Sequence, residues 1–239
     1  MIYTKQQVQQ NIRNRDGKRV FYLGAEDRIT QEAQDYLRDR GIEILSAMQA
    51  KPQYFVLENG ATLEKKPESM THLQGNVLVS KTHPRIAFRG ALDELEGALL
   101  LCGKRLPHQA GKLQEILELA RKILSCEVMD EPLQETPLCG YTQENLHHRS
   151  HFPQKYYNIA HFMPEMGDSI AVLELNGVRT VCRRVELMAA KAFENEKGLC
   201  TRQDLLQALN RMSSMLYVLM LEEKCRGSAN GRKADSEGY

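Results

Sequence analysis

From residue 84 onward, apolar residues recur every three or four positions through most of the chain, the period of helices with one buried side. Pro84, suited to a first helical turn, opens a helix running to about Gly103. A second helix spans roughly Gln109 to Val128, with Leu113, Ile116, Leu117, Ala120, Ile123 and Leu124 on one side. A short helix is expected near Gln143 to Ser150, within a stretch that carries Pro132, Pro137, Pro153 and Pro164. Connections of that length are often functional. The fourth helix runs from near Asp168 to about Glu196, on a stripe of Ile170, Leu173, Gly177, Val181, Val185, Met188 and Ala192. The fifth runs from a Thr201 cap to about Lys224, on Leu205, Leu209, Met212, Leu216 and Leu219.

Ahead of these helices the apolar runs are short. Val20 to Leu23 and Ile42 to Leu45 predict strands, Thr30 caps a helix through Leu37, and Gly41 suits its end. The polar stretch from Lys51 to Lys66 reads as a hairpin or linker around Asn59-Gly60, and Val77 to Val79 as a brief extended piece. The predicted fold is mainly α: a five-helix bundle over residues 70–225, with a small N-terminal α/β subdomain and linker over 1–69. A tail over 226–239, rich in Gly, Ser and charge, is expected to be disordered.

Composition narrows the function classes. The chain has 239 residues, 42% hydrophobic and 26% charged, as a globular protein requires. Lys and Arg total 32 against 31 Asp and Glu, so bulk attraction to nucleic acid or anionic lipid is not expected and any anion site must be local. No apolar run approaches the roughly 20 residues of a membrane span. The polar start MIYTKQQVQQ has no signal core, which predicts a cytoplasmic protein. Cys102, Cys126, Cys139, Cys182, Cys200 and Cys225 form no CxxC pair, so reduced thiols are expected rather than a Cys-rich zinc site.

The candidate chemistry sits on the two last helices and at the start of the first. Arg179, Arg183 and Glu186 share one helical face, beside Arg184. Two guanidinium groups on one face suit phosphate, although a salt-bridged surface has the same spacing. Asn210, Arg211, Ser213 and Ser214 follow on the fifth helix, with Asn210, Ser214 and Tyr217 on one face. Asn is a poor helix-interior residue that does best with a partner for its amide. Ser80 and Lys81 precede the first bundle helix, where backbone donors assist anion binding, and Arg85 and Arg89 follow. Asp93, on an otherwise apolar face, suggests an ion pair with an Arg of another helix or subunit. His147, His148 and His151 have helical spacings that either bind a metal or hydrogen-bond locally.

Three ordered stretches carry a specific resemblance. Residues 83–95 read HPRIAFRGALDEL, residues 178–187 VRTVCRRVEL and residues 208–217 ALNRMSSMLY. With them the chain resembles the corrinoid (cobalamin) adenosyltransferases over roughly Met70 to Leu221. MTHL from Met70, EPL from Glu131, LHHRSH from Leu146 and the RITQEAQDYL opening at Arg28 are similar to the EutT type of ethanolamine utilisation; the PduO type is more remote.

The resemblance implies transfer of the 5′-deoxyadenosyl group of ATP to cob(I)alamin, with Mg2+. It places ATP at Arg183, Glu186 and Asn210, with Arg184 and Arg211 nearby, and Lys81 near the triphosphate. Arg183 and Lys81 would stabilise the leaving group. Asp93 and Arg179 would pair between subunits of a homotrimer. Phe88, His147, His151, Phe152, Tyr156 and Phe162 are the candidates for the corrinoid pocket, together with Met163. The partners implied are a flavoprotein or other reductase and a cobalamin-dependent lyase, and the location cytoplasmic with a bacterial microcompartment. Two family features are absent. The PduO-type TRTGDKG-like loop is missing, so Ser80, Lys81 and Arg85 are expected to hold the triphosphate. The CCxxC cluster of many EutT proteins is missing from Glu58 to Met70, so no such metal site is expected. A delivery protein of the same fold without turnover is the alternative.

Overall fold

The computed structural model describes residues 1–15, 17–47 and 54–236, with backbone only from 228. The chain forms two compact units, Met1–Ile86 with Val128–Asp130, and Ala87–Glu127 with Glu131–Tyr239.

The first unit is built from short strands. In order it contains β1 (Ile2–Tyr3), α1 (Lys5–Asn11), β2 (Arg13–Arg15), β3 (Lys18–Leu23), β4 (Arg28–Ile29), α2 (Gln31–Asp39), β5 (Glu43–Ser46), β6 (Phe55–Leu57), β7 (Thr62–Leu63), β8 (Met70–Gln74) and β9 (Val77–Ser80). Thr4 and Gln7 form a capping box at α1, and the Thr30 hydroxyl accepts from Ala33 N–H at α2, as its position predicts. β1 pairs with β4, β3 lies between β2 and β5, and β7-β6-β9-β8 form a third sheet. Val8, Phe21, Ala33 and Leu37 are buried together beneath α1 and α2.

Because β8 and β9 pair with each other and β9 with β6, the expected boundary at residue 69/70 falls inside one sheet. The two larger sheets are tied by Asn76, whose amide oxygen accepts from Asn14 N–H at 2.6 Å and whose amide nitrogen donates to the carbonyls of Asn14 and Tyr54. Gly75, at φ +57°, packs so closely on the Ile12 carbonyl that a Cβ would collide with it. Most of the expected Lys51–Lys66 hairpin is β6 and β7, joined through Gly60 at φ +84°; residues 48–53 lie outside the described residues.

The second unit is helical. α3 (Pro84–Arg105) and α4 (Ala110–Met129) are joined by a single 3-10 turn at Pro107–Gln109. α5 (Gln143–His151) and α6 (Pro153–Tyr157) interrupt the long connection, and α7 (Ile170–Ala192) and α8 (Gln203–Ser236) complete the unit. α6 is an addition to the sequence expectation; Pro153 at its first turn starts it and Asn158 in a left-handed conformation stops it. α8 packs against α5, α6 and α7.

Several helical details differ from the sequence reading. The buried residues of α7 are Val172, Leu175, Val178, Cys182, Val185 and Ala189, so the predicted stripe is on a neighbouring face and only Val185 is shared. The helix is apolar around much of its girth, and two registers satisfy the same spacing; Cys182 and Ala189 choose between them. Thr201 is not the cap of α8: its hydroxyl donates to the Phe193 carbonyl, and Arg202 occupies the position before the helix. α8 also has no single stripe. Met215 through Leu221 are all buried, so this helix is enclosed on every side. Its backbone stays helical to Ser236, beyond the expected end near Lys224, through a Gly- and Ser-containing stretch with no proline to stop it; residues 237–239 lie outside the described residues.

Two charged groups are buried in this unit. Glu127 has no accessible surface and takes a bidentate contact from Arg89, at 2.6 and 3.2 Å. Glu223, 7% exposed, accepts from Gln109 at 2.5 Å and lies 2.9 Å from His108 Nε2. Burial opposes the charge on Glu223, but these hydrogen bonds outweigh it and hold the carboxyl below the usual range.

Removing one partner of a buried pair strands the other, so Arg89→Ala should lower unfolding free energy by about 3–5 kcal/mol in urea titrations, whereas replacing both residues by apolar ones should cost much less. Glu223 has a folded pKa below its unfolded value of about 4.3, so its contribution is present above that pH and fades as pH falls through the folded value. Unfolding measured from neutral to acid pH should therefore show a shallower acid loss in Glu223→Gln than in the wild type.

Candidate functional site

α7 and α8 present their polar residues where the buried run of α8 begins. Arg179 and Arg183 on α7 line a cleft with Asn210, Ser213, Ser214 and Tyr217 on α8. Ser150 and His151 at the end of α5, and His161 from the connection after α6, complete it. The cleft measures about 320 Å³, and none of its nine lining residues is a carboxylate. Pockets of roughly 300–1,000 Å³ hold small molecules.

Each side chain has a local reason for its place. Glu186 lies one turn from Arg183 and accepts from the Asn210 amide at 3.1 Å, giving the helix-interior Asn the partner that its position demands. The Tyr217 ring is buried, with the Arg179 guanidinium over it at 5.4 Å, His161 stacked on it at 5.0 Å and Phe162 at 5.6 Å. Its hydroxyl accepts from Phe162 N–H at 3.2 Å and lies 3.3 Å from His161 Nδ1. Burial raises the pKa of Tyr217 against the opposing pull of Phe162 N–H, Arg179 and Lys224. Burial, and then Arg183 beside it, lowers that of Arg179, whose Nε has no hydrogen-bond partner among the described residues. Lys224 pairs with Asp168 at 2.9 Å and sits 4.1 Å from the Phe162 ring centre, fixing the connection that carries His161.

α5 is held against this site by Arg149. Its guanidinium lies 4.7 Å from the Tyr156 ring centre and 4.9 Å from that of Tyr141, and it donates to the Tyr157 hydroxyl at 3.4 Å. His147 and His151, four residues apart, stack at 4.1 Å. Burial, then His151, Arg211 and His148, lowers the pKa of His147.

The structure thus brings together Arg179, Arg183, Asn210 and His151, with Glu186 bound to Asn210. Other expected residues lie elsewhere. Arg184 points away and pairs with Glu94 of α3. Arg211 lines a separate cavity of about 150 Å³ with Tyr141, Gln143 and Gln207; its Nε and Nη1 are buried without hydrogen bonds, and burial lowers its pKa. Phe88 is removed from the corrinoid candidates, because its ring is fully buried against Phe193 at 5.7 Å. Phe152 is 52% exposed against His148, and Tyr156 lies under Arg149. Ser80, Lys81 and Arg85 belong to the first unit at the turn from β9 into α3, where the Ser80 and Thr82 hydroxyls bond each other and Lys81 is exposed. Asp93 is exposed, with no ion pair among the described residues.

His161 and Arg149 were not singled out by sequence. His161 stands alone in an irregular stretch without a spacing signal, and Arg149 shows its role only once three tyrosines surround it. Among the described residues no group of three or more His, Cys, Asp or Glu is placed to hold a metal, and no helix is long and apolar enough to cross a membrane.

The helical unit thus carries a cleft lined by two guanidinium groups, imidazoles and hydroxyls, with no carboxylate in its lining. The chain belongs to the cobalamin adenosyltransferase family, whose profile matches residues 61–223. It is 36% identical to the corrinoid adenosyltransferase EutT of Salmonella typhimurium over 159 residues, 66% of this chain and 59% of that protein. With EutT of Escherichia coli it shares 30% identity over 226 residues, 84% of each chain. A PduO-type ATP:corrinoid adenosyltransferase from Lactobacillus reuteri, solved with cobalamin and ATP, has the same fold, at a TM-score of 0.51 and 19% identity over 67% of this chain and 91% of that one.

The enclosed and exposed members of the site should separate in stability. Tyr217→Ala should cost about 3–5 kcal/mol in chemical denaturation, whereas Arg183→Ala, at an exposed position, should stay within about 0.5 kcal/mol of the wild type.

Proposed function

We propose that this protein is an ATP:corrinoid adenosyltransferase that converts cob(I)alamin to adenosylcobalamin, serving ethanolamine utilisation. The observation that carries the reading is the convergence of Arg183 and Asn210, from the two stretches that mark the family, on one cleft, with Glu186 bound to Asn210. In the reaction, cobalt(I) gives its electron pair to the ribose 5′-carbon of ATP, the bond from that carbon to oxygen breaks, and triphosphate leaves. The demanding electronics are those of the corrinoid, and the chain supplies position and charge.

Arg183 is the cation of this cleft suited to meet the negative charge that grows on the leaving triphosphate. Asn210, steadied by Glu186, holds the nucleoside so that the 5′-carbon faces the metal. Magnesium, when bound, would supply charge neutralisation for the leaving triphosphate; the cleft lining offers it the Ser213 and Ser214 hydroxyls and no carboxylate. Phe162, packed on Tyr217 beside the cleft, is the apolar group best placed to exclude water and the lower axial base from the corrinoid. His147, Phe152 and Tyr156 follow it along α5 and α6.

The working enzyme is a homotrimer in which α3, α4, α5, α7 and α8 form the five-helix bundle. The exposed Asp93 of one copy pairs with Arg179 of the next, which the absence of an ion pair for Asp93 within the described chain supports. A reductase delivers the electron that makes cob(I)alamin, and a cobalamin-dependent lyase takes the product, both in the cytoplasm or a microcompartment.

Anaerobic incubation with ATP, magnesium and chemically reduced cobalamin should give the spectrum of a light-sensitive cobalt–carbon bond; corrinoid binding without alkylation would leave only a delivery role. Arg183→Ala should lose most turnover while staying folded and trimeric. Asp93→Ala and Arg179→Ala should each weaken assembly in sedimentation or raise the KM for cobalamin, and normal values in both measurements would remove the pair from the account.

A further inference from the structure

The cavity of about 150 Å³ that Arg211 borders lies between the connection Leu133–Tyr141, the start of α5 and the start of α8. Leu119, Leu133, Leu138 and Leu146 make one side of it apolar. The other side is polar and mixed in charge, with Arg211, Glu135 and Asp204. Asp204 is already satisfied within the chain: it accepts from Leu133 N–H at 2.8 Å and pairs with Arg202 at 2.9 Å. Arg211 and Glu135 are not. Arg211 has no ion pair among the described residues, and its Nε and Nη1 are buried without an acceptor, a costly arrangement that calls for one. Glu186 acts on Arg211 only through its charge, because that carboxylate is bound to Asn210. Glu135 is exposed, with no ion pair among the described residues. Gln207 donates to the Gln143 amide oxygen at 2.6 Å, which leaves the Gln143 nitrogen as a donor and the Gln207 oxygen as an acceptor.

We propose that this cavity is a binding site for a short α-amino acid, with the ligand's carboxylate on Arg211 and its ammonium on Glu135. The charges of the lining select that class. A bare anion meets Glu135 and Asp204 as well as Arg211, and a bare cation meets Arg211, whereas a zwitterion sets each end against its opposite. The guanidinium is suited to a carboxylate by its planar set of donors. The Gln143 nitrogen and the Gln207 oxygen give the two ends of the ligand a second contact each. The leucine side receives a short apolar side chain. A cavity of this size holds a ligand of about six to eight non-hydrogen atoms, the range from alanine to valine. The site shares no lining residue with the cleft between α7 and α8, and it does not rest on the adenosyltransferase reading.

The test is a saturation-transfer NMR titration of the full chain with L-alanine and L-valine, beside propionate and ethylamine, which each lack one of the two charges. At least one of the amino acids should bind saturably, and propionate and ethylamine should bind about tenfold more weakly or not at all. Arg211→Met, which keeps the side chain long and unbranched, and Glu135→Gln, at an exposed position that folding does not depend on, should each weaken amino-acid binding about tenfold. Saturating ATP should leave the amino-acid affinity unchanged. Failure of both amino acids to bind the wild type would overturn the proposal, as would propionate binding as tightly as they do. Unchanged affinity in Glu135→Gln would remove the ammonium contact and with it the zwitterion. Competition by ATP would give Arg211 to the nucleotide and sink the separate site.

Discussion

The enclosure of α8 is the constraint on which the helical unit depends. Seven consecutive residues from Met215 to Leu221 are buried, so every side of that segment must meet apolar neighbours. α5, α6 and α7 supply them. A helix enclosed in this way cannot carry polar side chains along its middle without a partner for each, so its chemistry collects one or two turns earlier, at Asn210, Ser213 and Ser214. The cleft lies where the central helix passes from a polar to an apolar stretch. Tyr217 marks the transition, apolar in its ring and hydrogen-bonded at its hydroxyl.

That placement explains why the site draws on elements far apart in sequence. Arg149, set among three tyrosines, fixes the end of α5, and Lys224 with Asp168 fixes the stretch that bears His161. Neither residue lines the cleft, yet each holds a segment that does. The exposed Arg183 has no ion pair among the described residues, while Arg184, one residue on, pairs with Glu94. Adjacent arginines on one helix have opposite fates because successive residues are turned by about 100° around the axis.

Much of this was legible in the sequence. The cap at Thr30 and the stripe of α4 follow from local rules that tertiary packing does not override. The pairing of Glu186 with Asn210 was foreshadowed by an amide placed where a helix tolerates it poorly. The register of α7 was not legible, since an apolar helix satisfies its period on two faces and only its neighbours select one. Phe88 read as a pocket ring because an aromatic beside basic residues looks the same in sequence whether it faces a ligand or a core, and Phe193, which decides the matter, is over a hundred positions away. Arg211 was read only as a neighbour of the site: it follows Asn210 directly, and the helix turns it into another cavity.

A net charge of +1 bears on how such a cleft captures its ligand. A chain with an overall positive field would steer anions from a distance, whereas here the attraction is confined to a Debye length of roughly 8 Å around the arginines. Selectivity must then come from the geometry of the donors. Arg179 is half-buried over Tyr217, the His161 ring contacts the Tyr217 hydroxyl, and the His151 ring contacts the His147 carbonyl, so the position of each side chain is set within the chain. Preorganised donors of this kind lose little freedom on binding, and the affinity they give belongs to the shape of the anion rather than to its charge alone. A near-neutral chain and a cleft lined by two guanidinium groups are compatible on these terms, since the positive charge is local to α7 rather than spread over the surface.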